Sequence, residues 1–246
     1  MKIALVTGGG SGIGKALALQ LSHKLEQVYI VGRNMPKLNA TKELNPDKIS
    51  LINADVRLNA DRLKIKRILA KIQLDYLIHN AGIMNNVGNF ATITLTNWRD
   101  MQKTNVEAPM FLTQALMPNL KRGSRVLHIS SGAGHNPYEG MLCYGISKAA
   151  LFYLYRGLNL ELQKDGILFG SFMPGVVDTD ILLSLRSQDV GVFPRVSVYQ
   201  DLYTNGKLRS PNMVAKILEN FLCNTNDEIF VSKDWRIEEF EKLNCE

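Results

Sequence analysis

The chain is poor in cysteine. Cys143, Cys223 and Cys245 are scattered over 246 residues, without metal-ligand spacing. That argues against a disulfide framework and a cysteine-based metal site, and leaves a cytoplasmic protein as the default. Long apolar runs are also missing. No stretch approaches the ~20 residues that a membrane span needs. The first apolar run, Ile3-Ala4-Leu5-Val6, is far too short for a signal-peptide core and ends in glycines. There are no internal repeats, low-complexity tracts or linkers, and 246 residues suit one domain spanning 1–246. Acidic side chains are outnumbered, 23 against 29 Lys and Arg, so the net charge is +6. Nucleic acid could use that charge, but no aromatic residues interleave with the basic clusters to stack on bases. Lys64, Lys66, Arg67 and Lys71 read as the solvated face of a short amphipathic helix. Lys121, Arg122 and Arg125 read as cations near a helix C-terminus. The net positive field would help to attract an anionic cofactor.

What the chain does have is alternation. Apolar strand candidates at Gln27–Val31, Ile49–Ile52, Leu74–Ile78, Arg125–Ile129 and Ile167–Phe172 alternate with helical patterns. The spacing predicts right-handed βαβ units and an α/β fold: a Rossmann-type, doubly wound parallel sheet with helices on both faces. Long helices are expected at about 96–121 and 142–163. The stretch 182–205 reads as irregular and suits a cover over a substrate.

The first strand runs into Thr7-Gly8-Gly9-Gly10-Ser11-Gly12-Ile13-Gly14, and an Ala/Leu-rich helix follows. Strand, glycine turn and helix is the order that a dinucleotide site requires. Glycines let backbone approach a pyrophosphate, and the helix N-terminus supplies N–H groups. The second strand ends in Gly32-Arg33-Asn34, where an NAD site usually carries an acidic residue. Arg33 suits a 2′-phosphate instead and predicts NADP(H).

Tyr144 and Lys148 stand four apart in Tyr-Gly-Ile-Ser-Lys, so both project from one face of a helix. A phenol normally titrates near ~10, and a neighbouring ammonium is expected to lower that value. Ser131, upstream, can donate to a substrate oxygen that gains charge. Such a trio moves a proton on or off an oxygen. Cys143, beside the tyrosine, reads as a small residue next to the pocket.

With these motifs in order, the chain resembles the short-chain dehydrogenase/reductase family over nearly its whole length. Thr7, Gly8, Ser11, Gly12, Ile13 and Gly14 match its cofactor loop. Asp55-Val56 looks like its adenine contact, and His79-Asn80-Ala81-Gly82 like its Asn-Asn-Ala-Gly. The resemblance makes Asn105, Ser131, Tyr144 and Lys148 the catalytic residues. Lys148 would also bind the nicotinamide ribose, and Asn105 would hold a water linking Lys148 to solvent. Pro174-Gly175-Val176-Val177-Asp178-Thr179 matches a turn whose Val177 and Thr179 would position the carboxamide. His79 departs from the first Asn of its motif and reads as a strand-end residue. Ser11 stands where NADP-preferring relatives often carry a basic residue, which leaves Arg33 as the main 2′-phosphate reader.

The C-terminal part looks like the sepiapterin reductase and benzil reductase branch. Sepiapterin reductases carry a pterin-binding aspartate where Ser232 falls here, which argues against a pterin.

The expected reaction is hydride transfer from NADPH to the carbonyl of a small, largely apolar ketone or diketone. His135, Tyr138, Leu142, Met173 and Val176 are expected in the substrate pocket. Rival readings are an NAD-dependent alcohol or steroid dehydrogenase, a 3-oxoacyl carrier-protein reductase, and a non-catalytic NADP-binding regulator. The last usually lacks the Tyr or Lys kept here. No metal, membrane or nucleic-acid partner is expected. The helix after Tyr144 is apolar nearly all round, which predicts a homodimer or homotetramer.

Overall fold

The computed structural model describes residues 2–85 and 87–243. Cys245 lies outside the described residues. Seven parallel strands form one sheet: β1 (Ile3–Thr7), β2 (Gln27–Gly32), β3 (Ile49–Asn53), β4 (Leu74–His79), β5 (Leu120–Ile129), β6 (Leu168–Met173) and β7 (Asp234–Arg236). Their order is β3-β2-β1-β4-β5-β6-β7. The chain walks outward from β1 to β3, returns to β4 beside β1, and walks the other way. This reversal opens a crevice at the C-terminal ends of β1 and β4, where ligands bind in such sheets. The central strands are apolar on both sides because both sides are covered. Ala4, Leu5 and Val6 of β1 and Leu77 and Ile78 of β4 are wholly buried.

One face packs against α1 (Gly12–Ser22), α2 (Met35–Lys42), α9 (Pro211–Asn224), α10 (Asp227–Ser232) and α11 (Ile237–Leu243). The other packs against α3 (Asn59–Ile68), α5 (Ala108–Leu116) and α6 (Leu142–Leu162). The helix expected at 96–121 is divided. It consists of α4 (Leu95–Gln102), a π turn at Lys103–Glu107, and α5. Pro109 explains the break: it has no N–H to offer the carbonyl four residues back, so the ladder slips to a wider turn. The chain is already in β5 at Leu120. Lys121, Arg122 and Arg125 therefore lie on a strand and not at a helix end. Two are paired: Lys121 with Asp75 at 2.8 Å and Arg125 with Asp227 at 2.7 Å.

The stretch 182–205 is also more ordered than its sequence suggests. It holds most of α7 (Asp180–Arg186) and α8 (Val196–Thr204), joined by a turn. Leu182, Leu185, Phe193 and Val196 bury themselves with Met141 in a separate apolar cluster above the sheet edge. Burying a side chain such as Phe193 contributes about 2 kcal/mol, enough to hold the cover in a defined shape. Among the described residues no helix is long and apolar enough to cross a membrane.

Candidate active site

A cleft of about 840 Å³ runs along the C-terminal edge of the sheet. At one end, β1 turns into α1 through Gly8 (φ +69°) and Gly12 (φ +52°), left-handed conformations that favour glycine. Gly8 and Gly9 both donate to the Val31 carbonyl, at 2.8 and 3.2 Å, which ties the turn to β2. Gly8, Ser11, Gly12 and Ile13 line the cleft, whereas Thr7 and Gly14 lie behind it. Thr7 is a brace. Its hydroxyl accepts from Asn80 N and Ala81 N, each at 3.0 Å, and donates to Ile78 O at 3.2 Å. Asn80 reaches back with its amide to Thr7 O (2.9 Å) and Gly8 O (3.3 Å). Together they lock the ends of β1 and β4, and leave Asn80, Ala81 and Gly82 on the wall.

Beyond the glycines the cleft reaches Arg33, Asp55, Val56 and Arg57. Arg57 forks onto Asp55, with Nη2 at 2.7 Å and Nε at 3.0 Å from Oδ2. Burial alone would raise the Asp55 carboxyl, but hydrogen bonds and charge from Arg57, with Arg33 behind them, hold it below its usual value. Arg33 lies 3.8 Å from Asp55, and its side chain is 57% exposed, so its guanidinium keeps donors for another anion. Lys37 also lines this end and pairs with Asp180 of α7 at 2.7 Å. The sequence reading missed Arg57 and Lys37. Arg57 directly follows the Asp55-Val56 pair, and its charge close to Arg33 was the available signal.

The other end is set by α6. Gly134 and Gly145 let the turn after β5 rest directly on this helix. A Cβ on Gly134 would come within 2.8 Å of the Lys148 backbone, and one on Gly145 within 2.9 Å of Ala133 O. That close packing brings Ser131, at the C-terminal end of β5, within hydrogen-bonding reach of the Tyr144 hydroxyl. Lys148 Nζ lies 5.7 Å from the Tyr144 ring centre and donates to Ile129 O at 2.8 Å.

The expectation that Lys148 lowers the Tyr144 pKa is not met. Burial pushes the phenol up to about 12, against a lowering contribution from Ser131, and Tyr199 adds to the rise. Burial pulls Lys148 down to about 8, against the opposing pull of Asp234. The physical reason is desolvation: both groups share one wall, where it penalises phenolate and ammonium alike. At neutral pH the tyrosine therefore holds its proton and can donate it.

Other candidates fall elsewhere. Asn105, in the π turn, is buried, with both ends of its amide hydrogen-bonded. Nδ2 donates to Ile83 O (2.9 Å) and Ser147 Oγ (3.0 Å), and Oδ1 accepts from Ile83 N (2.9 Å). The side chain braces the wall from behind, on the same side of Gly82 as Lys148 Nζ. His135 turns away from the cleft. Its Nε2 lies 2.7 Å from Asp234 Oδ2, and its ring meets Phe152 edge-on at 4.6 Å. Leu142 is 48% exposed and outside the cleft, because it occupies the first position of α6 on the solvent side. Tyr138, Met173 and Val176 line the cavity as expected, with Pro174, Gly175, Val177 and Thr179 between the two ends. Arg195, Val198 and Tyr199 of the cover also face in, within the 182–205 stretch expected over the substrate, though sequence reasoning singled out none of them.

Ser232 ends α10 and is exposed. The nearby acidic residue is Asp234 on β7. It is buried and satisfied by Ser130 Oγ at 2.7 Å and Ser171 Oγ at 2.9 Å, besides His135. It does not face the cleft. His79 is buried beneath the strand end, bonded to Thr113 at 2.8 Å, as a strand-end residue would be. Among the described residues no group of three His, Cys, Asp or Glu side chains could hold a metal ion.

The comparisons agree with this geometry. The profile of the short chain dehydrogenase family matches residues 2–190. A benzil reductase of Bacillus subtilis that forms (S)-benzoin is 30% identical over 232 residues, covering 90% of this chain and 93% of that protein. The crystal structure of the KRED1-Pglu enzyme superposes with a TM-score of 0.87 at 25% identity, covering 95% of this chain and 99% of that one. A short chain dehydrogenase of Burkholderia cenocepacia, solved in complex with NADP, gives a TM-score of 0.76 at 26% identity and 90% coverage of both chains.

Proposed function

The chain belongs to the short-chain dehydrogenase/reductase family and is an NAD(P)-dependent oxidoreductase acting on CH–OH and C=O groups, and we propose that it works as a reductase with NADPH. Its substrate is a small, largely apolar ketone or diketone. The observation that carries this reading is the layout of the cleft, with a Ser131–Tyr144 hydroxyl pair at one end and paired arginines, Arg33 and Arg57, at the other.

The residues present fit the cofactor. The left-handed Gly8 and Gly12 form a cradle that a side chain would strain and block. The N-terminus of α1 aims its N–H groups at the pyrophosphate position. Arg33 and Arg57 offer planar donors to a 2′-phosphate, and this favours NADP(H) over NAD(H). Bound NADPH supplies the hydride for the carbonyl carbon.

The protein's own side chains supply the rest. Tyr144 holds its proton at neutral pH and gives it to the carbonyl oxygen as negative charge develops. Ser131 donates to the same oxygen and fixes its position. Lys148, charged below about pH 8, places a positive charge near the incipient alkoxide and offers donors to the ribose. Met173, Val176 and the cover exclude water from the reacting atoms. The relative that reduces benzil is consistent with an apolar carbonyl substrate. The test is NADPH and NADH oxidation against a panel of diketones, quinones, pterins and acyl thioesters. The reading expects NADPH-dependent turnover of diketones. Turnover of acyl thioesters alone, or equal kcat/KM with NADH, would overturn it.

A further inference from the structure

Arg195 is out of place in an apolar pocket. It sits just before α8, between the buried Phe193 and Val196, so its backbone is anchored in the cover's apolar cluster. Its side chain lines the cleft among Tyr138, Met141, Leu185, Val198 and Tyr199. The guanidinium carbon lies 4.7 Å from the centre of the Tyr138 ring, and the Tyr199 phenol stands beside it. Arg33, Arg57, Arg125, Arg186 and Arg209 each have a carboxylate partner. Among the described residues Arg195 forms no such ion pair, and its Nε is buried without a hydrogen-bond partner.

A guanidinium carries five N–H donors and no acceptor. The Tyr138 ring face answers its charge in part and the Tyr199 hydroxyl takes up one donor, but Nε and the remaining donors are left for a ligand. A ligand that fills the cleft also strips away the remaining water. An uncharged, oxygen-poor ligand would then leave a desolvated cation unpaired, which is costly. A carboxylate removes that cost, because its two oxygens match the guanidinium fork. Tyr199 links the two ends of this pocket, since its phenol lies beside Arg195 and also close enough to Tyr144 to disfavour its ionisation.

We propose that the cleft selects carbonyl substrates that also carry a carboxylate, with Arg195 binding the carboxylate while Ser131 and Tyr144 hold the reacting carbonyl oxygen. The substrate is then an oxo acid with an apolar body, and this rests on the reductase reading above. The Tyr138 ring lies against the guanidinium and the Tyr199 hydroxyl stands beside it, which holds it facing the cleft.

The test compares aryl oxo acids of increasing spacer length, such as phenylglyoxylate and 3-benzoylpropionate, with their methyl esters. Wild type, Arg195→Met and Arg195→Lys are assayed with NADPH, and a neutral diketone serves as the control for reductase activity. In wild type at least one acid should exceed its ester in kcat/KM by about tenfold or more. Arg195→Met should lower that acid-to-ester ratio by about 10- to 100-fold, the range for a charge-assisted hydrogen bond, and Arg195→Lys should restore part of it. Diketone turnover with every ester equal to or better than its acid, or a ratio unmoved in Arg195→Met, overturns the role of Arg195 and leaves the reductase reading standing. Failure of wild type to reduce any carbonyl overturns the reductase reading. The anion site is then judged by calorimetric titration of the same acids into NADP⁺-loaded protein. Weaker binding to Arg195→Met by about tenfold or more supports the site, and equal binding overturns it.

Discussion

Lys148 should destabilise the fold that it serves. Its ammonium is almost wholly buried and titrates at about 8, against 10.5 for an ordinary lysine. At ~1.36 kcal/mol per unit, that displacement amounts to about 3 kcal/mol against folding when both states are protonated. The sign follows from proton counting. Below pH 8 the folded and unfolded chains both carry the charge, and only the folded chain buries it, so the full cost is present. Between pH 8 and 10.5 the unfolded chain binds more protons than the folded one, and the cost fades as pH rises. Lys148→Met keeps the apolar stem and removes the charge, but it gives up the charge-assisted bond to Ile129 O, worth about 2 kcal/mol. The variant should therefore be more stable than wild type by about 1 kcal/mol at pH 7. It should lose that advantage by about pH 10, and it should be nearly inactive throughout. Urea unfolding followed by the buried Trp235 at a fixed protein concentration measures this directly. A variant less stable than wild type at pH 7, with a difference that does not change toward pH 10, would refute the reasoning.

Other outcomes follow from the same geometry. Arg33→Asp and Arg57→Leu should each raise the KM for NADPH about tenfold or more while changing that for NADH little; parallel changes for both cofactors would remove the 2′-phosphate assignment. Reduction should weaken as pH rises through about 8, where Lys148 loses its charge, while Tyr144, at about 12, stays protonated. A profile that is flat from pH 6 to 10 would contradict this. On α6, Tyr153 and Leu160 are each 80% exposed, seven residues apart and on one face, with Ile146 a further two turns back. That apolar stripe fits a C₂ dimer through α5 and α6. Light scattering should give twice the chain mass for wild type and close to 27.5 kDa for Tyr153→Glu, and a wild-type mass of 27.5 kDa would sink the interface.

The sheet was legible because each of its first six strands closes on a short apolar stretch that leads to a residue of distinctive chemistry, though the polar first half of β5 was not read as strand. β7 was not, because Asp234-Trp235-Arg236 is too short to carry a period. The glycine loop, Ser131, Tyr144 and Lys148 could be read because their spacing fixes their placement on a turn and on one helix face. Side-chain direction was harder to read. His135 and Leu142 both lie shortly before Tyr144 in sequence, yet one is drawn to Asp234 behind the strand ends and the other faces solvent. The break at Pro109 was visible in the residue type but was outweighed by the helical pattern around it. The tyrosine pKa was misjudged because sequence shows a neighbouring charge and hides that Lys148 is buried and Tyr144 is partly desolvated in the cleft wall. Arg195 reaches the cleft only through the fold of the cover, and no local motif marks it.

The central claim is that Tyr144 donates the proton. Tyr144→Phe should keep the fold and bind NADPH within about threefold of wild type, while kcat for diketone reduction falls by several orders of magnitude. A variant that binds NADPH normally and keeps more than about a tenth of the wild-type rate would contradict the account.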